Sequence, residues 1–483
     1  MASLEQSMHL NALDHLPHAN YSHGVLYLSL SSQTTPKHAF HALQEGLRRT
    51  FKQLPWLSGK VQPISPGNSS SLEVRYQPFH EEYQSLYQLR YNELGDDIPY
   101  EELREIGFHP TVFADESLTW APFLPDIKNG TEVFVAQANF FPNACLLASA
   151  LCHVVGDGVA MNAVLKIWGA ECERLQLGLS SETLPAQTYD HHVLDRIYKD
   201  LGSGRSVTEI HPDTWRLLGL APPSLTTLSG VSNGQSLTRQ VYKPELRACL
   251  FYISSANVTS LREDCRRELS SSDVSFNDTI CALIWRSLMR ARIGAREAAD
   301  IDIQIDEDAR LDLPFDARTY FPEHIALEYF GNFTMINQII RPISFLTSPS
   351  TSIPSVAKAI RQVANEVTKT KIMDAYRLVK TRTGEEKSLT LDNLKVEGNG
   401  LIITSLVTFA TDSISFGSSA FGNGGGPDAM RPMIGAISKV FRYCAILPRK
   451  RNGGVEFVAT VSDDELDLLV QNDEFNKYCM LVS

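Results

Sequence analysis

The sequence predicts an α/β protein built from two domains. Patterns typical of short strands alternate with patterns typical of amphipathic helices in the first part of the chain, and the alternation returns after residue 247. Residues 183–247 between them are rich in Ser, Gly, Pro and Thr, which is typical of a linker. Because 483 residues exceed what one compact core usually holds, we expect an N-terminal domain over 1–182, a crossover linker over 183–247 and a C-terminal domain over 248–483.

The N-terminal section predicts strands that pair as hairpins beside a long helix. The stretch His23–Leu30 is typical of a strand, and an amphipathic helix should begin at Pro36 and end before Pro55. The stretches "WLSGKVQP" and "SLEVRYQP" predict a hairpin. The stretches "EVFVAQANFF" and "ACLLASALCHV" predict a second hairpin that turns at Pro142-Asn143, and its second strand runs into His153.

The C-terminal section predicts a further set of strands and helices. We expect strands at "CLFYIS" and "DIDIQID", and helices at "SANVTSLREDCRREL" and "SFNDTICALIWRSLMRAR". Residues 351–379 predict a long helix that is broken once. The tail predicts a hairpin across "RNGG", where glycine supplies a positive φ, and then a last helix with Ser462 as its N-cap.

Composition and charge exclude several classes of protein. Lys and Arg number 44 against 56 Asp and Glu, a formal charge of −12, and no basic block is long enough to follow a phosphate backbone, so we expect no nucleic-acid partner. The sequence shows neither a signal peptide nor an apolar run of membrane-spanning length, so we expect a cytoplasmic protein that does not enter a membrane. Its eight cysteines are dispersed without CxxC pairs, which predicts buried free thiols and no metal site.

The stretch "ALCHVVGDGVAMNAVLKIWG" places a histidine where a strand turns into a helix. His153 ends the apolar strand, and Gly156-Asp157-Gly158 leads into the helix. Imidazole is the side chain whose ordinary pKa lies near neutrality, so His153 could take a proton from a hydroxyl nucleophile. Asp157 could orient the ring, or it could turn away and pair with a buried arginine. A core histidine beside a turn is the alternative reading of His153.

A second histidine and aspartate have the same spacing. In "HHVLD", His191 precedes Asp195 by four residues, within the polar linker. One turn of helix would bring the two side chains together on a solvated face. We therefore expect a surface role for this pair, and the first pair is favoured by its context.

Several motifs along the chain resemble those of one family. "HVVGDG", from His153 to Gly158, matches an HxxxDG motif at a strand-to-helix turn, and "DARLDLP" with Asp308 and Arg310 is followed by "YFGN" with Asn332. "GLRRTFKQLPWLSGKV" and "SFNDTICALIWRSLMRAR" match further stretches in the same order. On these motifs the chain resembles the BAHD acyltransferases, and within them the fungal trichothecene 3-O-acetyltransferase branch. The resemblance implies a two-domain, chloramphenicol-acetyltransferase-like fold of mixed sheets flanked by helices, with a channel between the domains.

One motif departs from the family pattern. The family carries DFGWG near the C-terminus, whereas this chain has "AFGNGGGPDAMR", with Ala420 in place of the acid and Asn423 in place of the aromatic residue. The Phe-Gly-x-Gly frame is kept by Phe421, Gly422 and Gly424. In the family this acid is thought to pair with an arginine of the DxRxR stretch. Either Arg310 pairs with another carboxylate, such as Asp308 or Asp412, or the loop is more mobile than in the family.

The resemblance also implies an activity. His153 would act as general base on a hydroxyl of a small-molecule acceptor, such as a terpenoid secondary metabolite, which then attacks acyl-coenzyme A directly; no bound cofactor or metal is needed. Asp157 would hold the loop, with Gly158 beside it, through a salt bridge to Arg290 or Arg292. Oxyanion donors would be Thr404, Ser405 or Thr408, and the coenzyme A phosphates would meet Arg431, Lys439 or Arg442. Relatives usually act as monomers, so we expect a monomer.

Two other functions remain open at this point. The same fold could catalyse a condensation or cyclisation on another substrate, because an HxxxDG signature also marks condensation enzymes. Alternatively, the altered DFGWG motif could mark a member of the fold that binds small molecules without catalysis.

Overall fold

A computed structural model of the chain describes residues 5–16, 20–65, 68–79, 85–95, 98–184, 190–221, 243–269, 274–301, 303–326, 328–381, 393, 395–435 and 437–483. Contacts divide the chain into two compact units. Unit 1 comprises Met1–Leu201, Asp316–Thr334 and Phe409–Met433, and unit 2 comprises Gly202–Phe315, Met335–Thr408 and Ile434–Ser483. This division differs from the continuous limits 1–182, 183–247 and 248–483 because late segments of the chain fold with the N-terminal strands, as Ala429–Pro432 does on Tyr21–Ser29.

The regular elements are numbered in chain order. The strands are β1 Gln6–His9, β2 Tyr21–Ser29, β3 Lys60–Ser65, β4 Asn68–Tyr76, β5 Leu89–Glu93, β6 Thr131–Glu132, β7 Phe134–Phe141, β8 Ala144–Cys152, β9 Arg247–Ile253, β10 Asp308–Asp316, β11 Thr334–Pro342, β12 Gly400–Ser405, β13 Ala429–Pro432, β14 Tyr443–Ile446, β15 Val455–Val461 and β16 Cys479–Leu481. The α-helices are α1 Pro36–Gln53, α2 Tyr100–Glu105, α3 Asp115–Leu118, α4 Gly158–Gln176, α5 Val193–Leu201, α6 Ser255–Leu269, α7 Phe276–Ala298, α8 Ile343–Thr347, α9 Ile353–Asn365, α10 Lys369–Lys380, α11 Asp463–Val470 and α12 Asp473–Asn476.

Unit 1 contains two sheets, with strand orders β1-β4-β3-β6 and β13-β2-β8-β7-β5. The predicted hairpin of β7 and β8 is confirmed, and Asn143 takes a φ of 63° in its turn. β8 is buried at every position, as its continuous apolar sequence predicts. α1 packs on α4, where Gly46 leaves room for Cys172, and the indole Nε1 of Trp168 donates to the carbonyl oxygen of Leu43 at 2.8 Å. This packing fixes α4, whose first turn follows the HxxxDG loop.

Unit 2 contains a seven-stranded mixed sheet with the order β11-β10-β12-β14-β15-β9-β16. β10, β12 and β14 are parallel, whereas β14, β15 and β9 are antiparallel. α7 is buried along most of its length and begins with a capping box formed by Ser275 and Asp278. The predicted hairpin across "RNGG" is confirmed, with Gly453 at a φ of 81°, and Ser462 caps α11 as expected.

Some sequence predictions are wrong in detail. "DIDIQID" does not form a strand in its described residues 300, 301 and 303–306. The carbonyl oxygens of Ile305 and of the next residue but one, Glu307, accept hydrogen bonds from the amides that begin α8. The predicted linker holds the helix α5 and the 3-10 helix Pro212–Leu218, while 185–189 and 222–242 lie outside the described residues. The break in the long helix is confirmed between α9 and α10. Across the described part of the chain, no helix combines the length and apolar character that a bilayer span requires.

Candidate active site

His153 is the first residue beyond β8 in unit 1. The strand pairs with β2 on one side and with β7 on the other, so its end is held from both sides. The backbone amide of His153 donates to the carbonyl oxygen of Asn20 at 2.8 Å. Its side chain is half-buried, and Nδ1 has no hydrogen-bond partner among the residues that the structure describes. The backbone of His153 is therefore fixed, while its buried Nδ1 is left without a hydrogen-bond partner in the described part of the chain.

Asp157 turns away from the imidazole and forms a buried ion pair with Arg318. Both carboxylate oxygens accept from the guanidinium at 3.0 Å, and the side chains are 2% and 0% exposed. The other donors to the carboxylate are the amides of Val159, Ala160 and Phe333 and the hydroxyl of Thr334. These donors occupy the acceptor positions of the carboxylate, so Asp157 caps α4 and shapes the loop instead of orienting His153.

The charge of Arg318 decides the protonation state of this pair. Burial alone raises the pKa of a carboxyl group, but the nearby guanidinium and the donated hydrogen bonds outweigh it, so the pKa of Asp157 lies below its ordinary value. Burial likewise opposes the charge of Arg318, and the carboxylates of Asp157 and Asp316 overcome it and raise the pKa of the guanidinium. Both groups are therefore charged at neutral pH, as a buried ion pair requires.

The partner expected for Asp157 is wrong. Arg290 pairs with Glu474, and Arg292 donates to the carbonyl oxygens of Gly398 and Gly400, all within unit 2. Asp308 and Arg310 begin β10 in unit 2, and Arg310 is only half-buried. The chain carries a second Asp-Ala-Arg at 316–318, nearer to "YFGN", and this copy supplies Arg318. The repeated tripeptide is the signal that the sequence interpretation missed.

Arg318 also ties the "YFGN" segment to the loop. Its guanidinium donates to the carbonyl oxygens of Tyr329 and Gly331 and to the carboxylate of Asp316. The planar guanidinium of Arg318 thus donates hydrogen bonds to three residues besides Asp157. Because Asp157 and Asp316 neutralise it, the replacement of the family's acid by Ala420 leaves this guanidinium with carboxylate partners.

Gly156 sits where the loop has no space for a side chain. A Cβ atom there would lie 2.6 Å from the carbonyl oxygen of Phe330 and 2.7 Å from the Cβ of Ala160. We expect Gly156→Ala to destabilise the protein by about 1–3 kcal/mol, which urea unfolding measures. Gly24→Ala is the matched control, because its Cβ would meet only Met430, at an ordinary 3.5 Å. Equal stability of the two variants would contradict the tight packing of this loop.

Asn332 reaches from the "YFGN" segment to His153. Its Nδ2 donates to the carbonyl oxygen of His153 at 2.8 Å and to Oδ1 of Asp14 at 3.0 Å. Asp14 is fully buried and also accepts from the backbone amides of Asn332 and Asn11. Asp14 was not predicted as a site residue, since nothing in the sequence around it marks it as one.

The expected surface role of His191 is wrong. The residue is 5% exposed, and its Nδ1 lies 3.4 Å from Oδ2 of Asp14. Its ring also packs against Tyr329, with 6.0 Å between the ring centroids. The polar composition around "HHVLD" suggested a solvated helix, but the residue precedes α5 and faces the interior of unit 1. The structure thus brings Asp14, His191 and Asn332 together beside the backbone of His153.

The degenerate "AFGNGGG" loop bonds the backbone at the C-terminal end of β2 in unit 1. The amide of Ser31 donates to the carbonyl oxygen of Ala420, and the amide of Gly422 donates to that of Ser29. Ala420 and Phe421 are buried, and Gly424 has a φ of 67°. Phe421 packs in the core and Gly422 bonds the backbone of Ser29, and the structural role of Phe421, Gly422 and Gly424 that the family resemblance implies stays a prediction.

Two of the residues predicted to bind coenzyme A are already committed to internal contacts. Arg431 is 3% exposed and donates to the carbonyl oxygens of Gly107 and Phe108, and Arg442 is 1% exposed and pairs with Glu465. Their burial argues against contact with a phosphate, which formal charge alone could not reveal. Lys439 is exposed at the end of a short 3-10 helix.

The predicted oxyanion donors lie on or beside β12 in unit 2. Thr404 and Ser405 end the strand, and Thr408 follows it. The hydroxyl of Ser405 is buried and has no hydrogen-bond partner among the described residues, whereas Thr404 bonds the side chain of Tyr443. A role as oxyanion donor stays a prediction for all three. Within the described ranges, no group of three or more His, Cys, Asp and Glu side chains could hold a metal ion.

Comparison with curated proteins gives distant relatives of two kinds. The chain is 29% identical over 506 residues to the isocyanide synthase-NRPS hybrid crmA of Aspergillus fumigatus, covering 99% of this chain and 31% of that protein. A second relative, the enoyl-CoA isomerase/hydratase claC of Penicillium crustosum, is 25% identical; the match covers 95% of this chain and 49% of that protein. The chain thus spans about a third to a half of these two relatives. The eremophilane O-acetyltransferase prx11 of Penicillium rubens is 23% identical, with 99% of both chains covered.

Solved structures share the fold. The chain superimposes on F. graminearum TRI101 complexed with coenzyme A and deoxynivalenol with a TM-score of 0.75 at 17% identity, covering 99% of this chain and all of that one. F. sporotrichioides TRI101 complexed with coenzyme A and T-2 gives a TM-score of 0.71 at 17% identity, with the same coverage. The expectation of a two-domain α/β fold of this class is confirmed.

Family comparison agrees with the motifs around His153. Residues 21–172 match the trichothecene 3-O-acetyltransferase-like N-terminal domain. Residues 230–476, more than half of the chain, match the Transferase family. The chain therefore belongs to the Transferase family, with an N-terminal domain of the trichothecene 3-O-acetyltransferase-like type.

Proposed function

We propose that this protein is an acyl-coenzyme A-dependent O-acyltransferase that acetylates a hydroxyl group of a secondary metabolite such as a terpenoid. Membership of the Transferase family and full-length similarity to an eremophilane O-acetyltransferase support this proposal. The observation that carries it is the position of His153, which is half-buried at a strand end with its backbone fixed and its Nδ1 unbonded within the described chain.

His153 carries the proton transfers in this mechanism. The imidazole takes the proton of the acceptor hydroxyl while the oxygen attacks the carbonyl carbon of the thioester. The tetrahedral intermediate collapses, the carbon–sulfur bond breaks, and the imidazolium returns its proton to the departing thiolate. The products are the ester and free coenzyme A, with no net change in protons. Asp157 and Arg318 keep the loop in place and take no part in the proton transfers.

The cysteines support direct transfer without an acyl-enzyme. All eight are buried and free, including Cys152 next to His153. Burial raises the pKa of Cys152 to about 12, which leaves almost no thiolate at neutral pH. A cysteine nucleophile is therefore disfavoured, and the acceptor oxygen is left to attack the thioester itself. Eight free thiols also favour the reducing cytoplasm as the protein's location, where we propose that it acts as a monomer.

The acyl donor is coenzyme A-bound in this proposal. TRI101 structures of the same fold hold coenzyme A, and for the present chain we carry this over as a proposed co-substrate. Of the three residues predicted to meet its phosphates, Lys439 alone keeps that role in the proposal, because its ammonium group is exposed.

A second candidate function is transfer from a carrier-bound acyl group. The similarity to about a third of an NRPS hybrid favours this alternative. The acceptor and the step at His153 would be unchanged, and only the thiol that leaves would differ.

Thiol release distinguishes the candidates. The protein is incubated with acetyl-coenzyme A and a panel of polyhydroxylated terpenoids, and free thiol and acetylated product are measured together. We expect acceptor-dependent thiol release in equal amounts with an acetyl ester. Transfer only from an acetylated pantetheinyl carrier would favour the second candidate, and coenzyme A binding without any transfer would identify a non-catalytic member of the fold.

A further inference from the structure

A buried network leads from Asp14 through Asn332 to the backbone of His153. Asp14 and Asn332 are 0% and 4% exposed. The Nδ2 of Asn332 donates both to Asp14 Oδ1, at 3.0 Å, and to the carbonyl oxygen of His153, at 2.8 Å. We propose that Asp14 and Asn332 are positioning residues that fix the main chain of His153 and thereby aim its imidazole. The inference rests on the proposed role of His153 as general base.

The chemistry of Asp14 determines which way the Asn332 amide faces. Oδ1 of Asp14 is a hydrogen-bond acceptor, so the NH₂ group of Asn332, and not its oxygen, points towards it. The same nitrogen has a second hydrogen, which is then directed to the carbonyl oxygen of His153. The backbone amide of Asn332 donates to the same carboxylate at 2.8 Å. Asp14 therefore holds both the main chain and the side chain of Asn332.

The network fixes a part of His153 that the sheet does not reach. β8 ends at Cys152, and the amide of His153 is held by Asn20 at 2.8 Å. The bond from Asn332 adds an anchor on the carbonyl side, so both backbone polar groups of His153 are bonded. With the main chain held at both ends, the imidazole moves mainly by rotation about its own side-chain bonds. A general base needs this constraint, because a displacement of about 1 Å can cost on the order of 100-fold in rate.

His191 and the first 3-10 turn complete the surroundings of Asp14. His191 approaches Oδ2 to 3.4 Å, and the backbone amide of Asn11 donates to Oδ2 at 2.7 Å. Asn11 in turn caps the short helix Ala12–His15, and its Nδ2 donates to the Tyr329 hydroxyl at 3.0 Å. The Asp14 carboxylate is thus bonded by Asn11 as well as by Asn332, and its position does not depend on Asn332 alone.

The test compares Asn332→Leu and Asp14→Asn with the wild type. Leucine keeps the approximate size of asparagine and removes both donated bonds, and asparagine at position 14 lets the facing amide turn over. We expect kcat for acetyl transfer to fall by about 10- to 100-fold while the KM for acetyl-coenzyme A stays unchanged, because the base is misaligned and the thioester still binds. Asn129→Leu is the control, because Asn129 makes a similar bond to Asp126 at the exposed surface.

A double-mutant cycle separates positioning from general stability. In the His153→Ala background, Asn332→Leu should cause no further fall in the residual single-turnover rate, because the group that it aims is absent. An equal fall in both backgrounds would overturn the inference, as would an unchanged kcat in a folded Asn332→Leu protein. If Asn332→Leu does not fold, Asp14→Asn tests the inference in its place, by the fall in kcat and by the absence of a further fall in the His153→Ala background. Full activity of His153→Ala alone would instead reject the proposed function, so the two failures are distinguishable.

Discussion

His153→Ala is expected to lower the rate of acceptor-dependent thiol release by about 10²- to 10⁴-fold, the range that a positioned general base contributes. The substitution removes the imidazole and leaves the backbone bonds to Asn20 and Asn332 available, since both involve only the main chain of residue 153. The variant should therefore fold. Steady-state assays with acetyl-coenzyme A and a reactive acceptor measure the loss.

His41→Ala is the matched control for this variant. His41 lies on the exposed face of α1 in the same unit, so its loss should leave turnover unchanged. A comparable loss of turnover in both variants would indicate a general effect of removing a histidine, which would contradict the role of the imidazole at position 153.

Asp157→Asn is expected to destabilise the protein by about 3–5 kcal/mol at neutral pH, the usual cost of removing one partner from a buried ion pair. The amide has the shape of the carboxylate and its oxygen can still cap α4, but its NH₂ group cannot accept from Phe333 and Thr334, so the loss reports the charge together with these accepted bonds. It leaves the buried guanidinium of Arg318 with Asp316 as its remaining carboxylate partner. Urea unfolding of the variant beside the wild type measures the difference.

The destabilisation should depend on pH in a defined direction. The pKa of Asp157 is lowered in the folded protein, so its charge stabilises the fold above the ordinary carboxyl pKa of about 3.9, and this contribution disappears as the pH falls through the lower folded value. The difference in free energy of unfolding between wild type and Asp157→Asn should be largest near neutral pH and should become smaller below about pH 4. A gap that stays constant from neutral to acidic pH would show that lost shape, and not lost charge, causes the effect.

The sequence was sufficient to predict the strand, turn and helix that carry His153, because they are local. An apolar run, a turn at Pro142-Asn143, a second apolar run and a glycine-flanked aspartate lie within a single stretch, and each has a short-range physical reason. The direction in which Asp157 turns was left open, since glycines on both sides permit either orientation.

Partners that lie far apart in the sequence could not be predicted in this way. Two copies of Asp-Ala-Arg differ by eight positions, and only packing shows that Arg318, and not Arg310, meets Asp157. His191 and Asp14 are separated by most of the N-terminal section, and a polar composition suggested a surface where the fold buries both. Formal charge was equally misleading for Arg431 and Arg442, because it does not reveal whether a guanidinium is buried.

Coenzyme A affinity and turnover of His153→Ala, measured on the same folded preparation, test the role of the imidazole most directly. We expect calorimetry on His153→Ala to give the same coenzyme A affinity as the wild type, because the binding of coenzyme A does not depend on the imidazole. Acetyl transfer should fall by the 10²- to 10⁴-fold factor expected for a lost general base. A folded His153→Ala protein that acetylates its acceptor at the wild-type rate would contradict the mechanism.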